Sequence, residues 1–113
     1  MKQFRELRQH ILSTWEVDIS SKSRKHPTPY LRGGVCYLMS TLYGYPDGMV
    51  AKALNCDRTS VLYHRASHEG RYSHNSMYAD LYDELYKYIL TRPDNIIDID
   101  DIEQTMKEVF NED

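Results

Sequence analysis

Apolar residues recur along the chain at helical spacing, and polar or proline-rich punctuation divides them into a series of helices. In "QFRELRQHILSTW", Phe4, Leu7, Ile11 and Trp15 fall three or four residues apart, which is one stripe of an amphipathic helix. "DISSKSRKHPTP" is hydroxyl-rich, basic and closed by two prolines, so it reads as a loop. Pro29 suits the first turn of the next helix, where Leu31, Val35, Leu38, Met39 and Leu42 repeat with helical period. Gly33 and Gly34 interrupt that pattern at a cost of about 1 kcal/mol each against Ala, which points to close approach of another backbone. Gly44 and Pro46 stop the helix. "DGMVAKALNC" is a short helix with Asp47 as N-cap, and Asn55 suits the left-handed residue that ends it. Asp57 then caps a following helix, which Val61 and Leu62 hold to the core. "NSMYADLYDELYKYILTRP" is a strong helix capped by Ser76, with Tyr78, Leu81, Tyr82, Leu85, Tyr88 and Ile89 as its stripe. The segment after Pro93 begins with strand-like alternation, but Ile102, Met106 and Phe110 predict a final helix. No internal repeat and no convincing sheet appear, so the expected fold class is all-α.

Composition narrows the class. Apolar residues make up 41% and charged residues 27% of 113, the balance of one folded domain and not of a disordered chain. No apolar run reaches the roughly 18 residues of a membrane span, and "MKQFRELRQHILSTW" has no signal-peptide core. Two cysteines do not make a disulfide framework, so a reduced cytoplasmic location is expected. The net charge of −3 conceals an asymmetry: residues 22–72 carry eight basic and three acidic side chains, and residues 73–113 three basic and eleven acidic. A basic middle with an acidic end suggests a polyanion partner. The expected organisation is a helical domain over 1–93, with its core at 20–70, and an acidic, partly helical tail over 94–113.

The two short helices around Asn55-Cys56 have the length and turn chemistry of a helix-turn-helix. The second helix of such a motif lies in the DNA major groove and meets base edges with its first turn, here Arg58, Thr59 and Ser60. Arg donates a bidentate pair to guanine, Thr offers a methyl to thymine, and Ser or Thr bonds a base or a phosphate.

Residues 20–67, "SSKSRKHPTPYLRGGVCYLMSTLYGYPDGMVAKALNCDRTSVLYHRAS", resemble the C-terminal, Trp-repressor-like DNA-binding domain of the bacterial replication initiator DnaA. "SKSRK" is similar to the basic loop that opens that family's core, and "YLRGGVCYLMSTLYGYPDGMVAKAL" to its arginine-led long helix and short helix. "CDRTSVLYH" is similar to its signature Arg-Asp-His-(Ser/Thr)-Thr-Val-(Leu/Ile)-His. The resemblance implies base reading by Asp57, Arg58, Thr59 and Ser60, and a minor-groove contact by Arg32. Lys22, Arg24, Lys25, Tyr63 and His64 would contact the backbone, fixing register without reading sequence. The chain departs from the signature at Cys56, Arg58 and Tyr63, and the turn is one residue shorter, so its target should differ from the initiator's own binding box. No Gly-x-x-x-x-Gly-Lys-Ser/Thr phosphate loop occurs, so the expectation is the DNA-binding module without the ATPase. It would be nucleoid-associated when bound, with no cofactor and no enzymatic activity. The alternative is a protein-interaction adaptor that keeps the fold and has lost DNA binding.

Other candidates carry less. His64 and His68 stand at i, i+4, a spacing that can chelate a metal, but no ligand pair frames them, and solvated or phosphate-facing histidines are the simpler reading. Tyr78, Tyr82 and Tyr86 could stack on bases, yet Asp80, Asp83 and Glu84 beside them would repel phosphates. Core packing, or a homodimer or protein contact through helix 76–91, fits that segment better. The acidic tail is either a solvated helix, a cover for the basic face, or a partner contact.

Overall fold

The computed structural model describes residues 2–91. Among them are five α-helices and no strand: α1 (Lys2–Trp15), α2 (Thr28–Thr41), α3 (Asp47–Ala53), α4 (Arg58–His74) and α5 (Ser76–Thr91). The fold is therefore all-α, as the periodicity predicts. The domain limit at 93, the strand-like alternation, the helix on Ile102, Met106 and Phe110, and the tail over 94–113 lie outside the described residues.

Helix α2 is the centre, because among the described helices it alone has buried residues around its whole circumference. It packs against α1, α3, α4 and α5. Leu31, Val35, Leu38 and Met39 are fully buried there, while Leu42, read as part of the same stripe, lies past the helix end and is 45% exposed. Phe4, Leu7 and Ile11 cover one side of α2, and Leu85 and Ile89 of α5 cover another. Full burial of an aliphatic side chain of this size contributes about 1.5–3 kcal/mol, so these residues supply most of the driving force. The 16–27 segment is a loop, yet it anchors Val17 and Ile19 in the core.

The double glycine admits side chains, not another backbone. A Cβ on Gly33 would stand 3.0 Å from Arg71 Nη1 and 3.2 Å from His64 Nδ1, and one on Gly34 would stand 3.1 Å from Leu85 Cδ1. Two helix starts also differ from the expected ones. Asp47 is the first residue of α3 and not its cap; its carboxylate accepts a 2.7 Å bond from Arg65 Nη1, which ties α3 to α4. Helix α5 is capped by Asn75, whose Oδ1 accepts from Tyr78 N at 3.1 Å, and Ser76 is its first turn. At α5 two neighbouring polar residues could serve, and Asn75, whose Nδ2 also donates to the Tyr30 hydroxyl at 2.7 Å, takes the cap; at α3 the N-cap position is Pro46, which has no side-chain oxygen to offer. Leu62 does not hold α4 to the core: it is 51% exposed, and Val61 alone of the pair is buried.

Candidate functional site

The connection from α3 to α4 is four residues, Leu54 to Asp57. Leu54 is buried, Asn55 takes the left-handed conformation (φ 55°), and Cys56 N donates to Ala51 O at 2.9 Å. Asp57 is extended and its carboxylate accepts from Ser60 N at 2.8 Å, so the N-cap and turn expected from the residues are present. The first turn of α4 therefore faces outward, with Arg58 and Thr59 exposed and Ser60 half-buried.

Loop 16–27 lies beside that turn. Ser21 Oγ accepts from Ser23 N and Ser23 Oγ accepts from Lys25 N, both at 3.2 Å. These short hydroxyl-to-backbone turns leave Lys22, Arg24 and Lys25 projecting into solvent. Asn55 Nδ2 donates to Ser20 O at 3.4 Å, joining the loop to the α3–α4 turn. From beneath, Arg32 is only 9% exposed, and its Nη1 donates to the carbonyls of Ile19 and Ser21. The guanidinium that the family resemblance assigns to a minor groove thus holds the basic loop in place from its buried position.

Between loop and turn is an open cavity of about 360 Å³. Lys22, Arg24, Arg32, Asp57, Ser60 and His64 line it, so the fold gathers six of the residues singled out from the sequence around one hollow. Lys25, Arg58, Thr59 and Tyr63 lie outside the hollow and are exposed. Among the described residues none of Lys22, Arg24, Lys25, Arg32, Arg58 or Arg71 pairs with a carboxylate, whereas Arg8 pairs with Asp18 and Arg65 with Asp47. Residues 2–91 hold twelve basic and nine acidic side chains, so the negative sign of the whole chain comes from residues 92–113.

The histidines separate into two environments. His64 Nδ1 lies 3.3 Å from Arg71 Nη1; burial, Arg71 and Arg32 together push its pKa down to about 4, so it is a neutral ring at pH 7. His68 is neither solvated nor phosphate-facing. It is buried, stacked on Tyr37 with ring centroids 3.5 Å apart, and its Nδ1 is 2.7 Å from the Tyr78 hydroxyl. The two rings thus have different partners, and no group of three His, Cys, Asp or Glu side chains able to hold a metal occurs among the described residues. Burial pushes the Cys36 thiol up to about 12 and raises that of Cys56 as well, which keeps both protonated and poorly nucleophilic at neutral pH. The tyrosine helix is divided: Tyr78 is buried, Tyr82 is half-buried against Tyr37, His68 and Tyr72, and Tyr86 is exposed.

One residue at this place was not singled out from the sequence. Arg71 lies over the rings of Tyr63 and Tyr78, 5.3 and 5.9 Å from their centroids, and against Gly33. Its i, i+7 relation to His64 was the available signal, but no local pattern announces a cation stacked between two helices. No helix among the described residues is long and apolar enough to cross a membrane. In the comparisons with known proteins, no family model matches the chain, and no curated protein or solved structure matches it.

Proposed function

We propose that this chain binds double-stranded DNA in a sequence-specific way, in replication or transcription control. Helices α3 and α4 would act as the helix-turn-helix, of the Trp-repressor-like type found in the initiator's C-terminal domain. The observation that carries the reading is the outward first turn of α4 beside three exposed cations of loop 16–27 that pair with no carboxylate among the described residues. Arg58 and Thr59 are exposed and can reach base edges, and Ser60 and Asp57 line the cavity. Lys22, Arg24 and Lys25 supply phosphate contacts, and no carboxylate among the described residues pairs with them. Arg32 acts first as the clamp that ties the loop to α2.

Two variants test the division of labour on a panel of duplexes at fixed salt. Arg58→Ala should lower affinity by about 1–3 kcal/mol and relax preference at one position. Lys25→Ala should weaken all sequences alike and flatten the salt dependence. Equal losses on every sequence in both variants would show that the roles are misassigned.

A second reading, a protein-interaction adaptor, is favoured by the exposure of Leu62 (51%) and Tyr63 (59%) on the outer side of α4. Absence of any mobility shift on random duplex at low salt would favour it over DNA binding.

A further inference from the structure

Ser60, His64, Ser67 and Arg71 follow one another on α4 at spacings of four, three and four, so they form one flank of that helix. The first two line the cavity, and the row continues past it to Arg71. Arg71 lies thirteen residues beyond Arg58, about 20 Å along the helix axis. This guanidinium is held in place without a neutralising partner among the described residues. Tyr63 and Tyr78 offer ring faces, the neighbouring His64 ring is neutral, and no carboxylate among the described residues pairs with it. Gly33 is what lets the flank lie so close to α2. Arg32, which lines the same cavity as His64, is a second guanidinium without a carboxylate partner among the described residues, and its charge, like that of Arg71, acts on the His64 ring.

We infer that Arg71, with His64 beside it, is a second phosphate-binding position, engaging the DNA backbone beyond the contacts made by loop 16–27. The inference rests on the DNA-binding reading for the source of the phosphate, and on the geometry of α4 for its place. A cation stacked on tyrosine keeps its outward N–H groups for an oxyanion, and the neutral imidazole adds a hydrogen-bonding group without requiring a counter-charge. The rival account is structural: Arg71 lies in the last turn of α4, where a cation also favours the helix dipole. Salt dependence separates the two, because only a phosphate contact releases counterions.

The experiment measures affinity for one duplex between 50 and 200 mM salt for the wild type, Arg71→Gln and Arg71→Lys, with far-UV circular dichroism confirming the fold. Loss of one phosphate contact lowers the log–log slope by about 0.9, so Arg71→Gln should lose about 3.5-fold less affinity than the wild type over that range. Arg71→Lys should keep most of the wild-type slope. A wild-type slope in Arg71→Gln overturns the inference and leaves DNA binding intact; a slope as low in Arg71→Lys as in Arg71→Gln assigns the effect to packing and also overturns it. Should Arg71→Gln not fold, NMR of the wild type decides, since the Arg71 side-chain N–H signal must move when duplex is added. Should the wild type bind no duplex, the DNA reading falls, and titration with inorganic phosphate decides: shifts at Arg71 and His64 preserve the anion position as a small-phosphate site, and their absence ends it.

Discussion

Lowering the pH from 7.5 toward 4.5 should weaken the fold, and His64 should be one of the groups responsible. In the unfolded chain its imidazole titrates near 6.5; in the fold, burial and the guanidiniums of Arg71 and Arg32 bring it down to about 4. A folded pKa below the unfolded one means that unfolding takes up a proton between those values. The stability owed to the neutral ring is therefore complete above about 6.5, declines as the pH falls through the window, and does not decline further below about 4. A separation of about 2.5 units sets a ceiling of about 3.4 kcal/mol. The ring is partly open to water and salt screens both guanidiniums, so about half of that is the reasonable expectation.

His10 and His68 also have lowered pKa values, chiefly through burial, and lose stability in the same direction. The Asp18 carboxyl, lowered mainly by its bond from Ser20 N, acts only below 3.8, outside the window. The assay is urea denaturation of the wild type and His64→Gln at several pH values between 4.5 and 7.5. The wild type should lose about 1.5–2 kcal/mol more than the variant across that range. Parallel curves would show that His64 does not titrate between two cations, and would remove the account given of its environment.

Asp57→Ala should cost about 1 kcal/mol of stability, because α4 loses its cap. Asp57→Asn should keep the melting temperature near wild type while shifting base preference, if the second oxygen reads a base; thermal melts and duplex selections on both variants check this. Tyr78→Phe should cost about 1–3 kcal/mol, since it leaves His68 Nδ1 buried without its 2.7 Å partner, and a cost near zero in denaturant titrations would show that water replaces the hydroxyl.

The helices were legible because their apolar periods are strong and local. Phe4, Leu7 and Ile11 predict α1, and Leu31, Val35, Leu38 and Met39 predict α2, from spacing alone. The readings that missed concern choices that tertiary structure makes. Leu62 has the chemistry of a core residue, but Val61 fills the space against α2, where its carbonyl also meets the Cys36 thiol at 3.7 Å. Asp47 has the chemistry of a cap, but Arg65, eighteen residues downstream, offers it a partner across the α3–α4 pair.

The candidate site shows the same boundary between local and non-local chemistry. The cap at Asp57, the left-handed Asn55 and the outward loop cations follow from residue types in sequence, and the fold brings them to one cavity. What spacing could not supply was which cations are already occupied. Arg65 is spent on Asp47, Arg32 is spent on the loop carbonyls, and Arg71 is stacked on tyrosine with no carboxylate partner among the described residues. Three arginines that look alike along the chain therefore do three different things. An arginine's availability to a phosphate is set by what its guanidinium already touches, and that depends on Gly33, Tyr63 and Tyr78, which lie far from it in sequence or carry no charge. A scan that neutralises each in turn should accordingly separate them: loss of Arg65 or Arg32 should register chiefly in stability, and loss of Arg71 in the salt dependence of binding.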